Sequence, residues 1–380
     1  MRTRESIDFA MNHSSLPTRL VEYINALLPD AHGHQIKATI DFVMAIINVQ
    51  SCSQAAIARF FDSTEAALKR LSRFLHNERL EIEALALAHA RLLLAQLPFV
   101  GPLRLSIDWT IEDTQYLLVA SLAVGRRAIP LFWRAYSECE LKDRRSALER
   151  DFIRYLVQDV LASIDPKRLI LTADRAFADV ELFDLLDSLG ISFIIRSKDN
   201  VKVMIDGKWE KLKRLRMRGN QRRRRWGRLW YCETDPRRVF LVQSRARNRE
   251  GKWEMWHLIS NRPLSAWTAS SEYARRFSCE EGFRDSKRML GFADARINDI
   301  QAWQRMFTLV AIALLVLTVV GCQLIKESQL THQLLRCVRS RRRTRSELSM
   351  VRAIAELMKK QTSLWELLSF SHKLNLEANL

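Results

Sequence analysis

The chain has 380 residues, too many for one ordinary domain, so two or three are expected. Hydrophobic residues make up 48% and charged residues 27%, which excludes a wholly disordered chain, since such a chain lacks the apolar surface to offset its entropy. With 61 Lys and Arg against 43 Asp and Glu, the net charge is +18, which points to a polyanionic partner, nucleic acid first and an anionic membrane surface second; a merely basic or ribosome-associated protein is the plain alternative.

Residues 1–100 read as helical, with no run of period two. Ser53–Phe61 and Glu65–Leu75 form two short helical patterns around Asp62-Ser63-Thr64, with Asp62 and Glu65 spaced as a capping box. Ala67, Leu68, Leu71, Phe74 and Leu75 share one face of the second. The pair reads either as a DNA-contacting helix-turn-helix or as an ordinary helical hairpin with solvated charges. Leu103–Trp109, Gln115–Ala123 and Ile129–Tyr136 then predict three consecutive strands, the opening of an antiparallel ribbon. Helix, strand, helix and strand follow at 146–163, 168–173, 178–189 and 191–196, which extends the same sheet in parallel with helices on its faces.

Residues 197–265 are strand-like and basic. Gly207–Arg228 holds eleven Lys or Arg and one acid, Glu210. Val239–Arg245 and Trp253–Ser260 predict a strand pair. Beyond 265 the chain reads as helical, with six arginines and no acid between Arg336 and Arg345. Met306–Cys322 is uncharged and falls just short of the roughly 18–20 residues of a membrane span, so it predicts a buried core helix. The six cysteines stand singly, without a CxxC pair, which disfavours a zinc site and fits a reduced, cytosolic chain. No apolar stretch follows Met1–Ser6, so no secretory signal is expected.

Two aspartates close predicted strands: Asp108 in Leu105-Ser-Ile-Asp-Trp-Thr and Asp174 in Leu169-Ile-Leu-Thr-Ala-Asp-Arg. Side chains at strand ends of an open α/β sheet face the crevice where ligands bind. A divalent cation would compensate such a carboxylate, and so would a helix cap or a turn. Glu272–Leu290 reads as one helix. At about 100° per residue, Tyr273, Arg276, Glu280 and Lys287 fall within an arc of roughly 60°, flanked by Phe277 and Phe283. One acid, two cations and a phenol in so narrow a stripe suit a metal-holding carboxylate beside a phosphate; a simple Arg276–Glu280 surface pair is the alternative.

The three acids follow a three-strand ribbon, a further strand and a late helix. That is their order in an RNase H-like core with a β insertion before its last catalytic helix. The spacing Tyr273-x2-Arg276-x3-Glu280-x6-Lys287, with Glu280-Glu-Gly-Phe-Arg-Asp-Ser-Lys287 around it, resembles the YREK signature of the IS4 group of DDE transposases of bacterial insertion sequences. Ile-Asp108-Trp-Thr and Ala-Asp174-Arg-Ala-Phe resemble that group's first two acidic motifs, and the resemblance covers about residues 100–325. It implies an α/β fold with an RNase H-like core, a mixed sheet flanked by helices. Residues 1–100 would be a helical DNA-binding domain, 101–196 and 266–325 the two parts of the core, 197–265 a β-rich basic insertion and 326–380 a helical tail.

The resemblance also implies cut-and-paste DNA transposition. Asp108, Asp174 and Glu280 would be catalytic and hold two divalent ions, Mg²⁺ with Mn²⁺ as a substitute, about 4 Å apart. One ion would activate the attacking water or 3′-hydroxyl and the other stabilise the leaving oxygen. Tyr273, Arg276, Lys287 and Arg284 would contact DNA phosphates. A hairpin on the cleaved end would need a flipped base, with Trp226, Trp230, Trp253 and Trp256 as candidate receivers against a reading of strand-face packing. The run Gly207–Arg228 would neutralise phosphates. The implied partners are double-stranded DNA, at the terminal inverted repeats and at the target, and a second copy in a homodimer, with no membrane and a cytoplasmic, nucleoid-associated location. An RNase H-fold nuclease without strand transfer and a non-catalytic, domesticated derivative are the rival readings. Glu281, about 100° from Glu280 on the helix, is the rival third acid.

Overall fold

A computed structural model describes residues 17–98, 100–125, 127–247, 251–326, 350–360 and Trp365. The arginine cluster of 336–345 lies outside the described residues. Five helices come first: α1 (Thr18–Leu27), α2 (Gly33–Val49), α3 (Gln54–Ala58), α4 (Thr64–Leu75) and α5 (Ile82–Ala95). The predicted hairpin is α3–α4, but α4 has Ser63 rather than Asp62 at its N-cap position, with Glu65 in its first turn. Ala67, Leu71, Phe74 and Leu75 are its buried face. Arg70 also turns inward, 3.0 Å from Asp41 and over the rings of Phe42 and Phe61.

The expected strands are present as β1 (Leu103–Glu112), β2 (Gln115–Val124) and β3 (Arg127–Ser137), an antiparallel meander. After α6 (Glu138–Leu141) and α7 (Arg145–Tyr155) come β4 (Leu169–Ala173), α8 (Val180–Ser188) and β5 (Ser192–Arg196). Strands β1, β4 and β5 run parallel, in the order β3-β2-β1-β4-β5. That order is consistent with an RNase H-like core. Leu117–Val124 of β2 are all buried, as expected of a strand covered on both faces. Helix α7 packs on one face, where Phe132 meets Phe152; the opposite face carries Trp133, which meets Phe307 and His89.

The basic insertion does not form a sheet of its own. It comprises β6 (Lys202–Ile205), β7 (Lys208–Lys211), β8 (Arg223–Tyr231), β9 (Arg237–Arg247) and β10 (Trp253–Ser260). Strand β10 pairs antiparallel with β5, so one ten-stranded sheet continues as β10-β9-β8-β6-β7. The pairing covers the edge that β5 would otherwise leave with open hydrogen-bonding groups.

Helices α9 (Ala266–Ala274), α10 (Phe277–Arg284), α11 (Ile300–Lys326) and α12 (Met350–Lys360) follow. The apolar stretch predicted as a core helix lies in α11. Ile300–Gln323 is long and apolar enough to cross a membrane, but its most apolar window is 94% buried inside the protein. One continuous core joins Leu20 of α1, the sheet, α11 and Trp365, so the N-terminal helices share a core with the sheet instead of forming a detached domain.

Candidate active site

The parallel ladder between β1 and β4 runs from Leu103↔Leu169 to Ile107↔Ala173. Asp108 and Asp174 are each the next residue, so two neighbouring strands, about 4.8 Å apart, deliver the two aspartates side by side. Two residues earlier, the Ser106 and Thr172 hydroxyls touch at 3.0 Å, which fixes the same register. Asp108 does not close its strand, as the sequence suggested. β1 continues to Glu112 paired with β2, and it is β4 that stops. Asp174 also caps the short turn after β4, accepting from the Ala176 N–H at 2.7 Å.

Glu280 comes from α10, which lies close against β3. A Cβ on Gly282 would stand 2.9 Å from the Ala128 carbonyl oxygen, so a side chain there would push the helix off the sheet. The predicted single helix Glu272–Leu290 is broken. At Arg275–Cys279 the N–H groups of residues 275, 276, 278 and 279 bond three residues back, a tightened turn that separates α9 from α10. Residues Asp285–Met289 then widen into a π-turn. Both irregularities shift the angular phase, so the four-residue stripe survives only in part.

Arg276 and Glu280 remain together. Arg276 is 6% exposed; its Nη1 lies 3.1 Å from Asp108 Oδ2 and its Nη2 2.5 Å from Glu280 Oε1. One buried guanidinium therefore bridges the first and third candidate acids. Asp108 Oδ1 accepts from the Trp109 N–H at 2.9 Å. Burial pushes the Asp108 carboxyl up to about 6, Arg276 opposes the shift, and the charges of Asp174 and Glu280 add to it. Asp108 thus feels the charge of both other acids, and its surroundings favour added positive charge.

Lys287 does not join them. Beyond the π-turn it pairs with Glu112 at 2.5 Å and donates to the Ile111 carbonyl at 2.7 Å, at the far end of β1. Tyr273 is 1% exposed and packs edge-on against Trp256, with ring centroids 5.0 Å apart, so it does not offer a hydroxyl to solvent as a phosphate contact would. Burial pushes its hydroxyl pKa up, against the pull of Arg276. Arg284 pairs with Glu281, and Glu281 also meets Arg127 at 3.3 Å. Glu281 is therefore occupied on the β3 side, while Glu280 faces Asp108.

Among the tryptophans, Trp256 is buried with Tyr273 and Phe277, and Trp226 donates to Gln243 at 2.7 Å. Trp230 is partly exposed, and Trp253 is 55% exposed. Guanidinium groups lie over three of the rings: Arg224 on Trp226, Arg238 on Trp230 and Arg247 on Trp253. Strand direction orders the rest. Since β5 is parallel to β4 and β10 runs back against it, Trp253, Arg247 and the start of β8 at Arg223 all lie at the end of the sheet that carries the acids.

Sequence reasoning missed the cavity at this end, about 620 Å³, lined among others by Arg145, Glu149, Asp174, Arg175, Lys198 and Lys213. Glu149 has no motif around it; only its place on α7, beneath Trp109, brings it here.

Among the described residues, no three Asp, Glu, His or Cys side chains stand close enough to hold a metal ion as they lie. The donors at Asp108, Asp174 and Glu280 are hard carboxylate oxygens, the chemistry that Mg²⁺ and Mn²⁺ prefer, and two of them already share one positive group. The residues fit a divalent cation in kind, with Arg276 standing between Asp108 and Glu280.

Residues 153–316 match the family model described as the transposase DDE domain. The matched stretch is less than half of the chain and includes Asp174 and Glu280, while Asp108 lies before it. The match supports a DDE transposase and implies DNA as the partner. A comparison with curated proteins found no matching relative.

Proposed function

We propose that the chain is a DDE transposase of the IS4 type that moves an insertion sequence by cut and paste. Asp108, Asp174 and Glu280 are its catalytic carboxylates and its metal ligands. What supports this reading is their placement: two acids one step past the last β1–β4 pair, and a third on the same guanidinium as the first. Mg²⁺, or Mn²⁺ in its place, supplies activation of the attacking oxygen and neutralisation of the leaving one when bound. Arg276 holds Asp108 and Glu280 in place and keeps positive charge beside the reacting phosphate. The arginines at the start of β8 bind DNA phosphates near the cleaved end without reading sequence. A flipped base needs an open ring at this end, and Trp253 is the exposed one; Trp256 would have to leave its packing against Tyr273. Tyr273 and Lys287 reach a phosphate only after local rearrangement, because one is buried and the other is held by Glu112.

The test uses the full chain and a duplex carrying the inverted repeats that bracket its reading frame. Glu280→Gln should bind the duplex as the wild type does and fail to cleave it in Mg²⁺. Normal cleavage by Glu280→Gln would overturn the reading. Joining of a pre-cut end to target DNA separates a transposase from a nuclease of the same fold, and the mass of the complex reports whether two copies hold two ends.

A further inference from the structure

Glu149 on α7 is 5% exposed as a residue, and an acid largely taken out of water is costly unless it is paired or used. Its Oε1 accepts two hydrogen bonds, from the Trp109 indole N–H at 2.6 Å and from Arg145 Nε at 3.1 Å. Its Oε2 accepts none among the described residues, and Glu149 lines the cavity that also holds Asp174. The two carboxylates feel each other: burial raises the Glu149 pKa, Trp109 and Arg145 oppose that, and the charge of Asp174 adds to it. The cavity's cations at Arg175, Lys198 and Lys213 stand on exposed residues, where water screens them, whereas Glu149 lies deep. Through Trp109, Glu149 also touches the residue whose backbone N–H orients Asp108.

We propose that Glu149 is a fourth carboxylate of the cation site, a positioning residue that draws a divalent cation toward Asp174 from across their shared cavity. This rests on the reading of Asp108, Asp174 and Glu280 as cation ligands. A purely structural role would need only an acceptor for Trp109 and Arg145. The proposed role needs the negative charge, so the two can be separated.

The probe is Mn²⁺ alone, titrated into the full chain without DNA and followed by the paramagnetic resonance of the free ion. Glu149→Gln keeps an amide oxygen for Trp109 and removes the charge. It should weaken Mn²⁺ binding about tenfold, the lower end of what changing groups behind metal ligands does, with the thermal midpoint near that of the wild type. Wild-type Mn²⁺ affinity in Glu149→Gln would overturn the proposal. Arg145→Gln, at a half-exposed position, frees the Glu149 charge and should tighten Mn²⁺ binding several-fold. Unchanged or weaker binding in Arg145→Gln would count against the proposal even if Glu149→Gln failed to fold. Asp174→Asn marks the other failure: if it leaves Mn²⁺ binding untouched, the cation site itself is wrong; if it abolishes binding while Glu149→Gln binds Mn²⁺ as tightly as the wild type, only the role of Glu149 falls.

Discussion

Strand β2 is buried from Leu117 to Val124, while β8, six places along in the same sheet, sets exposed Arg223, Arg225 and Arg228 against buried Leu229 and Tyr231. The first half of the sheet is covered by helices on both faces, so any charge inside it must find a partner. Asp108 finds Arg276, and its carboxyl still titrates near 6. One face of β8 meets water, so its arginines stay solvated and available to a polyanion. One sheet thus holds a few fixed, costly charges at the chemistry and many inexpensive ones where a long partner passes.

Changing Arg222, Arg223 and Arg225 together to Gln should give the largest effect. If each meets a phosphate, duplex affinity falls roughly a hundredfold near physiological salt, and the slope of log K against log salt drops by about 3. Titrations at several salt concentrations measure both, and an unchanged slope would remove the extension from the DNA path. On the buried half, Gly282→Val forces α10 away from the Ala128 carbonyl. It should cost about 1–3 kcal/mol in denaturant melts and lose cleavage as fully as Glu280→Gln; retained cleavage would mean that the close approach does not set the third acid.

His89 tests the buried half by pH. It is fully buried between the Tyr23 hydroxyl and the Pro130 carbonyl, and burial lowers its pKa from 6.5 to about 4. The unfolded chain therefore takes up this proton first. Stability is whole above pH 6.5 and falls by about 1.4 kcal/mol per unit as pH drops from there toward 4. His89→Gln should flatten that slope in melts compared at pH 7 and pH 5. The smallest effect belongs to Glu281→Gln. Glu281 is held by Arg127 and Arg284 on the β3 side of α10, so cleavage should stay within about threefold of the wild type, since Arg127 keeps Asp285 as its partner when the Glu281 charge is removed. A loss as deep as that of Glu280→Gln would exchange the two acids' roles.

Local pattern made much of this protein legible. The apolar runs of β1–β5 and the buried α11 follow from composition and period, because burial on two faces leaves no polar position to break a strand or helix. Asp108 and Asp174 were marked by motif and by an expected place at strand ends, of which only that of Asp174 holds, and Glu280 by the four-residue spacing on its helix, which also set Arg276 four residues before it. The helix of 272–290 misled where it was not regular: a tightened turn and a π-turn shift the phase, which the sequence does not record, and they carried Lys287 to Glu112. Tyr273 looked available because a phenol in a polar stripe gives no sign of what packs over it.

The sequence by itself determined which segments form strands and helices and which of them are buried, since hydrophobic period is a local property of the chain. The tertiary structure alone decided that β10 joins β5, that Trp256 is buried and Trp253 open, and that Arg276 stands between two acids 172 residues apart in sequence. It also set Glu149 and Asp174 on the wall of one cavity. Such contacts depend on how helices and strands stack, and a charge's partner in space need not be its neighbour along the chain.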